Sequence, residues 1–241
     1  FALLFMGLEA LKSSVPSFDQ GGFYNLIEPL TNHGIFSVII FVIVGTIVTI
    51  IVQSSSAAMA LTLVLCTKGL PFEFAAAIVL GENIGTTITA NIAAIIGNIH
   101  AKRAALAHLI FNLIGVLWML IFFYFFTENI ENIVNTNSDW FPFDTSSKKS
   151  IESSTIQWSL ALFHLTFNII NTILLVWFVN NIEKIVVKLI SSKADDDEIF
   201  QLKYFSNNTL SSEFSILEVK SELLKFISVT SKMNSFLKSL I

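Results

Sequence analysis

The sequence predicts an all-α fold: a polytopic α-helical membrane protein with re-entrant or discontinuous helices, followed by a cytoplasmic helical segment. Hydrophobic residues make up 54% of the 241 residues and charged residues 13%, against about 45–50% and about 25% in soluble domains. The mean hydropathy is +0.72. Some apolar segments are long enough to cross a bilayer, whereas others reach about halfway and are separated by polar motifs.

The same composition argues against several classes of protein. The formal net charge is −4, and basic residues are not clustered with aromatic ones, so we expect no nucleic-acid partner. The single cysteine, Cys66, lies in an apolar segment and is expected to be a packed thiol. A nucleophile, a base and an orienting group do not occur together at a recognisable spacing, so we expect neither an enzyme nor a cofactor.

Three apolar segments of about 18 residues or more can each cross about 30 Å of hydrocarbon: 35–52, 103–126 and 156–179. Three others, of about 11 residues each, cannot cross it alone: 57–67, 71–81 and 87–97. Residues 1–12 are also too short, and we interpret them as the end of a helix that starts outside this sequence. The half-length segments predict re-entrant or discontinuous helices, which need protein or water around them.

Two polar motifs interrupt the half-length segments and are predicted helix breaks. The first is QSSS, which comprises Gln53, Ser54, Ser55 and Ser56. The second, Gly81–Asn91, supplies oxygen atoms from Glu82, Asn83, Thr86, Thr87, Thr89 and Asn91. Unwound carbonyls and hydroxyls can replace the water shell of a cation, and the N–H groups at a half-helix start can hold an anion.

The alternative is that these side chains join helices by hydrogen bonds, at about 0.6 kcal/mol each. We would prefer that interpretation for an isolated serine, but two grouped polar motifs favour a binding site. Glu82 is a functional candidate because an acid within a membrane span costs about 2.5–3.5 kcal/mol. Its alternative is a position at the membrane interface, wetted by solvent, although the polar neighbours favour an aqueous cavity.

Charged loops predict the orientation. Basic residues before the second span and after the third (Lys102, Arg103, Lys184, Lys188, Lys193) contrast with a largely acidic connecting loop, 127–155. The positive-inside rule therefore places the basic ends in the cytoplasm and makes the two spans antiparallel. Lys68 and Lys102 bracket 71–97, which predicts a cytoplasmic re-entrant hairpin there, while the path of 35–67 stays open.

The second and third spans carry matching sequences. ALAHLIFNLI aligns without gaps to ALFHLTFNII, so His108 with Asn112 and His164 with Asn168 each share one helix face. We prefer interhelical hydrogen bonding to a proton-sensitive track, because neither histidine has an acidic partner nearby in sequence. Two histidines without cysteine or carboxylate ligands do not define a zinc site.

Three regions follow from these patterns. Residues 1–192 form the transmembrane domain, and 193–210 form a linker that begins with the acidic KADDDE. Residues 211–241 have the amphipathic period of a helix, with Ser212 as its predicted cap. They are predicted to begin a cytoplasmic helical domain.

Four segments carry a resemblance to a known family: QSSSA at 53–57, GENIGTT at 81–87, KRAALAHLIFN at 102–112 and LKYFSNNTLSS at 202–212. They resemble the sodium/phosphate cotransporters related to the mammalian type II proteins, in particular the bacterial branch that continues into a PhoU-like helical domain. The resemblance implies two inverted repeats, each with a QSSS motif. This chain is similar to the second repeat, so the first repeat of the same transporter is an implied partner.

The resemblance also implies roles for single residues. Gln53 and Ser54–Ser56 match the substrate and sodium motif, and Asn83, Thr86 and Thr87 match the second motif. Sodium ligands would come from the three serines and the two threonines. Glu82 stands where many members have alanine, so the resemblance implies no role for it, and Thr89 and Asn91 are further candidates.

These expectations together describe sodium-coupled symport of inorganic phosphate by alternating access in a cell inner membrane. The lipid bilayer, inorganic phosphate and sodium would be its partners, and a homo-oligomer is compatible with the sequence. Three alternatives stay open: a channel without sodium coupling, a phosphate exporter, and a membrane sensor that signals through the cytoplasmic helices.

Overall fold

The computed structural model describes residues 2–15, 29–141, 148–191 and 219–231. The chain divides into two compact units, Phe1–Ile190 and Ser191–Ile241. Every regular element in the described residues is helical, which confirms the all-α prediction. The first unit contains α1 (Ala2–Ser14), α2 (Ile35–Val52), α3 (Ser55–Thr67), α4 (Phe72–Ala94), α5 (Ile99–Ile121), α6 (Phe123–Thr136), α7 (Lys148–Leu175) and α8 (Val179–Leu189). In the second unit, α9 spans 219–231.

Among the described residues, three helical segments are long and apolar enough to cross a membrane: Ile35–Val52, Ile99–Ile121 and Ser154–Leu189. They confirm three apolar spans, but the second ends at Ile121, five residues before the predicted end, and α6 begins at Phe123. Only about a fifth to a third of the most apolar part of each span is buried by protein, and α2 exposes a row of isoleucines that includes Ile43 and Ile47. Isoleucine side chains that the protein does not cover require an apolar environment. Lipid can provide it, because the backbone hydrogen bonds of a helix are satisfied within the helix itself.

The predicted re-entrant hairpin at 71–97 is wrong. Residues 72–94 form the single continuous helix α4, so Lys68 and Lys102 lie beyond its opposite ends. The helical hairpin instead consists of α3 and α4. Its turn is set by Gly69 at φ 106°, with the Gly69 N–H on the Cys66 carbonyl and the Leu70 N–H on the Leu65 carbonyl. This is the Schellman pattern that terminates a helix, and it requires a residue that adopts positive φ easily.

Helices α2 and α4 pack with their backbones in contact. A Cβ atom added at Gly45 would collide with the Ile78 carbonyl oxygen, and one added at Gly81 would collide with that of Val42. One turn later, a Cβ at Gly85 would lie 2.7 Å from the Thr46 carbonyl oxygen. Both helices advance together along these contacts, so they run parallel. Small residues at membrane helix interfaces allow this approach.

Phe163 of α7 lies at the centre of the apolar core. Its ring packs edge-on against Phe72, Phe123 and Phe126, at centroid distances of 6.2, 6.4 and 5.7 Å, and it stacks on Phe167 at 6.4 Å. The side chain is fully buried. This cluster fastens α4, α6 and α7 together, because each of these helices contributes at least one of the rings.

The antiparallel arrangement of the second and third spans is confirmed. Near the end of α5, Trp118 Nε1 donates to Asn171 Oδ1 over 3.1 Å. Near the start of α5, Arg103 Nε donates to the Ile190 carbonyl just after α8, over 3.0 Å. A later residue of α5 therefore contacts an earlier residue of the chain from α7 to the end of α8. The Arg103 bond also places a cation at the negative end of α8.

Several predictions fall partly or wholly outside the described residues. The linker 193–210, the Ser212 cap and LKYFSNNTLSS belong to this group. In the loop predicted at 127–155, the described residues include most of α6 and the first residues of α7. This region therefore begins and ends as helix.

Glu131 of α6 provides a test by pH. Desolvation and the nearby Glu73 carboxylate raise the pKa of Glu131 above its ordinary 4.5. The folded state therefore prefers the protonated acid, and the wild type loses stability as pH rises from about 4.5. We expect Glu131→Gln to raise the melting temperature at pH 7 and to leave it unchanged near pH 4, measured by thermal scanning in detergent. An equal effect at both values would contradict the electrostatic cause.

Candidate functional site

The first predicted helix break is confirmed at Gln53. Helix α2 ends at Val52, and Gln53 adopts the left-handed conformation, with φ 56° and ψ 24°. Its N–H donates to the Thr49 carbonyl over 2.8 Å. Ser54 is extended, and α3 starts at Ser55. A glutamine rarely occupies this backbone region, so local strain is concentrated at the joint between the two helices.

The serines that follow form the N-terminus of α3. Ser54 Oγ accepts from the Ala57 N–H over 3.3 Å and lies 3.2 Å from Ser56 Oγ. Gln53, Ser55 and Ser56 are exposed, and Ser54 is half-buried. Helix geometry leaves the first N–H groups without intrahelical partners, so this end of α3 carries partial positive charge. It therefore offers an anion backbone donors and hydroxyl groups together.

The second predicted break does not exist, since α4 runs unbroken through Gly81–Asn91. Four of its polar side chains bond only to their own helix instead. The hydroxyls of Thr86, Thr87 and Thr89 donate to the carbonyls of Glu82, Ile84 and Thr86 over 2.7–2.8 Å, and Asn83 Nδ2 donates to the Val79 carbonyl over 3.1 Å. Polar groups satisfied in this way do not force a helix to open in an apolar environment. The glycines serve close packing on α2.

These bonds determine which chemistry the α4 residues can perform. Because each threonine hydroxyl commits its hydrogen to a carbonyl, its oxygen is left as an acceptor. Thr86 is half-buried, whereas Thr87 is fully buried. Asn83 likewise uses its amide nitrogen and retains its Oδ1. Such oxygens suit a cation better than a phosphate, since a phosphate requires donors.

Packing contacts bring the two polar motifs to one level of the bundle. Helices α2 and α4 run parallel, and Gly85 of α4 lies against Thr49 of α2. Four residues further along each helix, Gln53 therefore lies level with Thr89. Helices α3 and α4 run antiparallel, and Thr62 of α3 contacts Glu82 of α4. Ser55 lies two turns before Thr62 and Thr89 lies two turns after Glu82, so these two residues are also level. Hydrogen bonds between QSSS and the α4 motif are absent among the described residues.

Glu82 is neither wetted at an interface nor placed in an aqueous cavity, so both sequence-based interpretations are wrong. Its side chain is 4% exposed and lies between α3 and α4. Thr62 Oγ1 donates to Glu82 Oε1 over 2.7 Å. The flanking residues Leu80 and Gly81 are buried as well, since α2 covers this part of α4. Sequence spacing could not reveal this cover.

Asn91, the last predicted residue, joins two helices. Its Nδ2 donates to the Thr87 carbonyl of α4 and to the Ala105 carbonyl of α5, each over 2.8 Å. Both amide hydrogens are thus used in packing. Asn91 therefore holds α5 against the end of α4 that lies nearest the QSSS level.

The matched histidine and asparagine pairs form a different contact from the one expected. Asn112 Nδ2 donates to the His108 carbonyl over 3.1 Å, and Asn168 Nδ2 donates to the His164 carbonyl over 2.8 Å. These bonds lie within α5 and α7, whereas we expected bonds between helices. The repeated spacing thus reflects an intrahelical motif that occurs twice.

Two structural features escaped the sequence analysis. The glycine contact between α2 and α4 was signalled by Gly81 and Gly85, four residues apart within the predicted second helix break. Thr62, the partner of Glu82, had no sequence signal because it lies in an apolar segment twenty residues away. Long-range partners of this kind emerge only from the packing.

Comparisons with known proteins give one family match and several relatives. A family model described as Na+/Pi-cotransporter matches residues 3–136. The protein "Uncharacterized protein YqeW" of Bacillus subtilis is 28% identical over 198 residues, which cover 78% of this chain and 58% of that protein. The "Putative inorganic phosphate export protein YjbB" of Escherichia coli K12 is 24% identical over 210 residues, which cover 86% of this chain and 34% of that protein. The chain therefore spans less than two thirds of either relative. No solved structure matches it.

Proposed function

Because this chain belongs to the Na+/Pi-cotransporter family, we propose that it moves inorganic phosphate across a membrane by alternating access, coupled to sodium. Its family is a transporter family, and the spans are apolar and incompletely covered. The observation that carries the proposal is the break at Gln53–Ser54. It exposes the start of α3, with three serines, at the level of Thr89 of α4.

Phosphate is assigned to the QSSS side of this level. The Gln53 amide, the hydroxyls of Ser55 and Ser56 and the first N–H groups of α3 are donors, which a phosphate oxygen requires. Ser54 is the cap of α3 and fixes the direction of these groups. Binding involves no covalent step.

Sodium is assigned to oxygen atoms between the two motifs: those of Ser54, Ser55, Ser56, Thr86 and Thr87. Thr86 has its hydrogen directed at the Glu82 carbonyl, so its lone pairs are the available side. Asn83 retains its Oδ1 as a further acceptor, six residues or about 9 Å before the level of Thr89 along α4. Glu82 and Asn91 act as positioning residues, because both are engaged in helix packing.

Sodium coupling has an energetic reason. Each negative charge that enters a cell against the membrane potential costs about 2.3 kcal/mol per 100 mV. Divalent phosphate would therefore need two or more sodium ions to offset its charge. In this proposal, bound sodium favours the state that accepts phosphate.

Phosphate export is the second candidate. The observation in its favour is the name of the relative YjbB, which describes an inorganic phosphate export protein. The same site serves either direction, since the direction follows from the gradients and the coupling. A sensor that binds phosphate without flux would also use this site.

The wider assembly belongs to the same proposal. The protein would be multi-pass in an inner membrane, with α9 and a PhoU-like region in the cytoplasm. A first inverted repeat would face the exposed QSSS surface and complete the site. Association into a homo-oligomer is compatible with the apolar surfaces of α2 and α7.

We expect Ser55→Ala in the intact protein to reduce sodium-dependent phosphate uptake about tenfold or more, because a hydrogen bond to a charged group contributes about 1.5–3 kcal/mol and about 1.4 kcal/mol corresponds to a factor of ten. The measurement is radiolabelled phosphate uptake into proteoliposomes, with sodium and with potassium outside. Ser159→Ala is the matched control. That serine is buried in α7 and its Oγ lacks a hydrogen-bond partner among the described residues, so uptake should be unchanged.

Unchanged affinity and sodium dependence in Ser55→Ala would refute the site assignment. Efflux from preloaded vesicles, without sodium-driven uptake, would support export. Phosphate binding without flux would support the site assignment but would indicate a sensor instead of a transporter.

Gln53→Gly separates the glutamine side chain from the backbone conformation. Glycine adopts φ 56° without strain, so we expect stability to rise by about 1 kcal/mol while phosphate affinity falls. Unfolding in denaturant and phosphate binding are measured on the same samples. Retained phosphate affinity would show that binding depends on the backbone conformation at residue 53 rather than on the side-chain amide of Gln53.

A further inference from the structure

Among the described residues, the groove between α5 and α8 shares no lining residue with QSSS or with α4, and it has no role in the proposed transport. It has a volume of about 590 Å³, within the range of about 300–1,000 Å³ usual for ligand sites. Its apolar wall includes Ala104, Ala107 and Phe111 of α5 and Ile182 and Val186 of α8. We propose that this groove binds one anionic phospholipid, with its phosphate at Arg103 and an acyl chain along the apolar wall.

The shape of the groove follows from the sequence of α5. The alanines at 104 and 107 keep side-chain bulk small on the face towards α8, and His108 and Phe111 are the large side chains of α5 that line the groove beyond them. Opposite, Ile182 and Val186 lie one turn apart and are the buried residues of α8. The result is an elongated apolar surface along the helix, which fits a hydrocarbon chain.

The charges favour an anionic headgroup. Arg103 lies in the first turns of α5 and is half-buried, and its Nε is held on the Ile190 carbonyl. A guanidinium has five N–H donors, so the remaining ones can bind phosphate oxygens. His100 lines the groove one turn before Arg103, and Lys188 lies near the same end of α8. Basic pockets between helices on the cytoplasmic side recognise such headgroups.

Among the described residues that line the groove, Glu183 is the one carboxylate, and it would repel a phosphate beside it. It precedes Ile190 by seven residues, which is two turns or about 10 Å along α8. Since Arg103 contacts the Ile190 carbonyl, the Arg103 end is displaced from Glu183 by that distance. The antiparallel register instead places Glu183 near the level of His108, deeper along the groove. The phosphate therefore belongs at the Arg103 end.

Helix α8 supports an interfacial lipid site. It buries Ile182 and Val186 against α5, while Lys184 and Lys188 are exposed. An amphipathic helix with lysines on its polar face is typical of the membrane interface, where phospholipid phosphates lie. The groove thus places its basic end and its apolar wall at the depths that match a lipid headgroup and its chain.

The test is native mass spectrometry of the detergent-solubilised protein titrated with phosphatidylglycerol or phosphatidylcholine. We expect one tightly bound phosphatidylglycerol and much weaker binding of phosphatidylcholine. Arg103→Gln should lower the affinity for phosphatidylglycerol about fivefold, the usual contribution of one basic residue near a lipid surface. Ala107→Trp should block the apolar wall and remove the tightly bound lipid.

Two matched controls keep these results specific. Lys102→Gln removes the same charge one residue away, but Lys102 lines a different groove, between α4 and α5. Leu113→Trp adds bulk at an exposed position of α5 outside the groove. Both should bind phosphatidylglycerol like the wild type.

Equal binding of the two lipids by the wild type, or unchanged phosphatidylglycerol binding in both groove variants, would overturn the proposal. Displacement of the lipid by millimolar inorganic phosphate would also overturn it, since the site would then hold free phosphate. If Ala107→Trp does not fold, Ala104→Leu tests the same wall with less added volume.

Discussion

Gly81→Val is expected to prevent the first unit from folding. The added side chain would start where α4 touches the backbone of α2, because a Cβ at this position collides with the Val42 carbonyl oxygen. Backbone atoms cannot rotate away, so the helices would have to separate. The bond from Thr46 Oγ1 to the Gly81 carbonyl, 3.1 Å long, would be lost with that separation. We expect a loss of more than about 3 kcal/mol, above the usual range for overpacking.

Size-exclusion chromatography of the fluorescently tagged protein measures this effect as the loss of the monodisperse peak. Gly7→Val is the matched control. That glycine lies in α1, and a Cβ there meets nothing within 4 Å. A Gly81→Val variant that elutes and unfolds like the wild type would show that α2 and α4 are not in backbone contact.

Phe163→Ala is expected to cause the second large loss, of about 3–5 kcal/mol in the free energy of unfolding. Its ring contacts those of Phe72, Phe123, Phe126 and Phe167, so truncation removes four aromatic contacts at once. It also leaves a cavity that the three helices cannot close without moving. Within a membrane such dispersion contacts provide much of the association energy.

The loss can be measured by equilibrium unfolding in mixed micelles. Leu165→Ala is the comparison, because that leucine lies two residues away on α7 and is 57% exposed. We expect its effect to stay below about 1 kcal/mol. Equal effects of the two substitutions would contradict a protein-packed position for Phe163.

Much of the fold could be predicted from hydropathy. The predicted span 35–52 coincides with α2, and the apolar segment 57–67 lies within α3. These predictions succeed because a bilayer requires long apolar helices, which composition records directly. The segments 71–81 and 87–97 failed as separate elements, because the polar residues between them bond to Thr62 of α3 or to their own helix, and one helix continues through them.

Some features of the candidate site could likewise be predicted from the sequence, and others could not. The break at Gln53 was predictable, since four consecutive polar residues end an apolar run and serine is a preferred helix cap. The continuity of α4 was not predictable. A cluster of threonine and asparagine residues is also typical of a loop, and the sequence does not show that their side chains bond to their own helix. The Glu82–Thr62 contact depends on the turn at Gly69, which determines how α3 lies on α4.

The glycine contact has a mechanical consequence. Two helices whose backbones touch have no intervening side chains that could change rotamer and let one slide past the other. We therefore expect α2 and α4 to move as one rigid pair. In the proposed alternating access, α3 is then the member of this three-helix group that changes position. It is joined to the pair at Gln53 and at the turn of Gly69, two positions of positive φ on either side of α3.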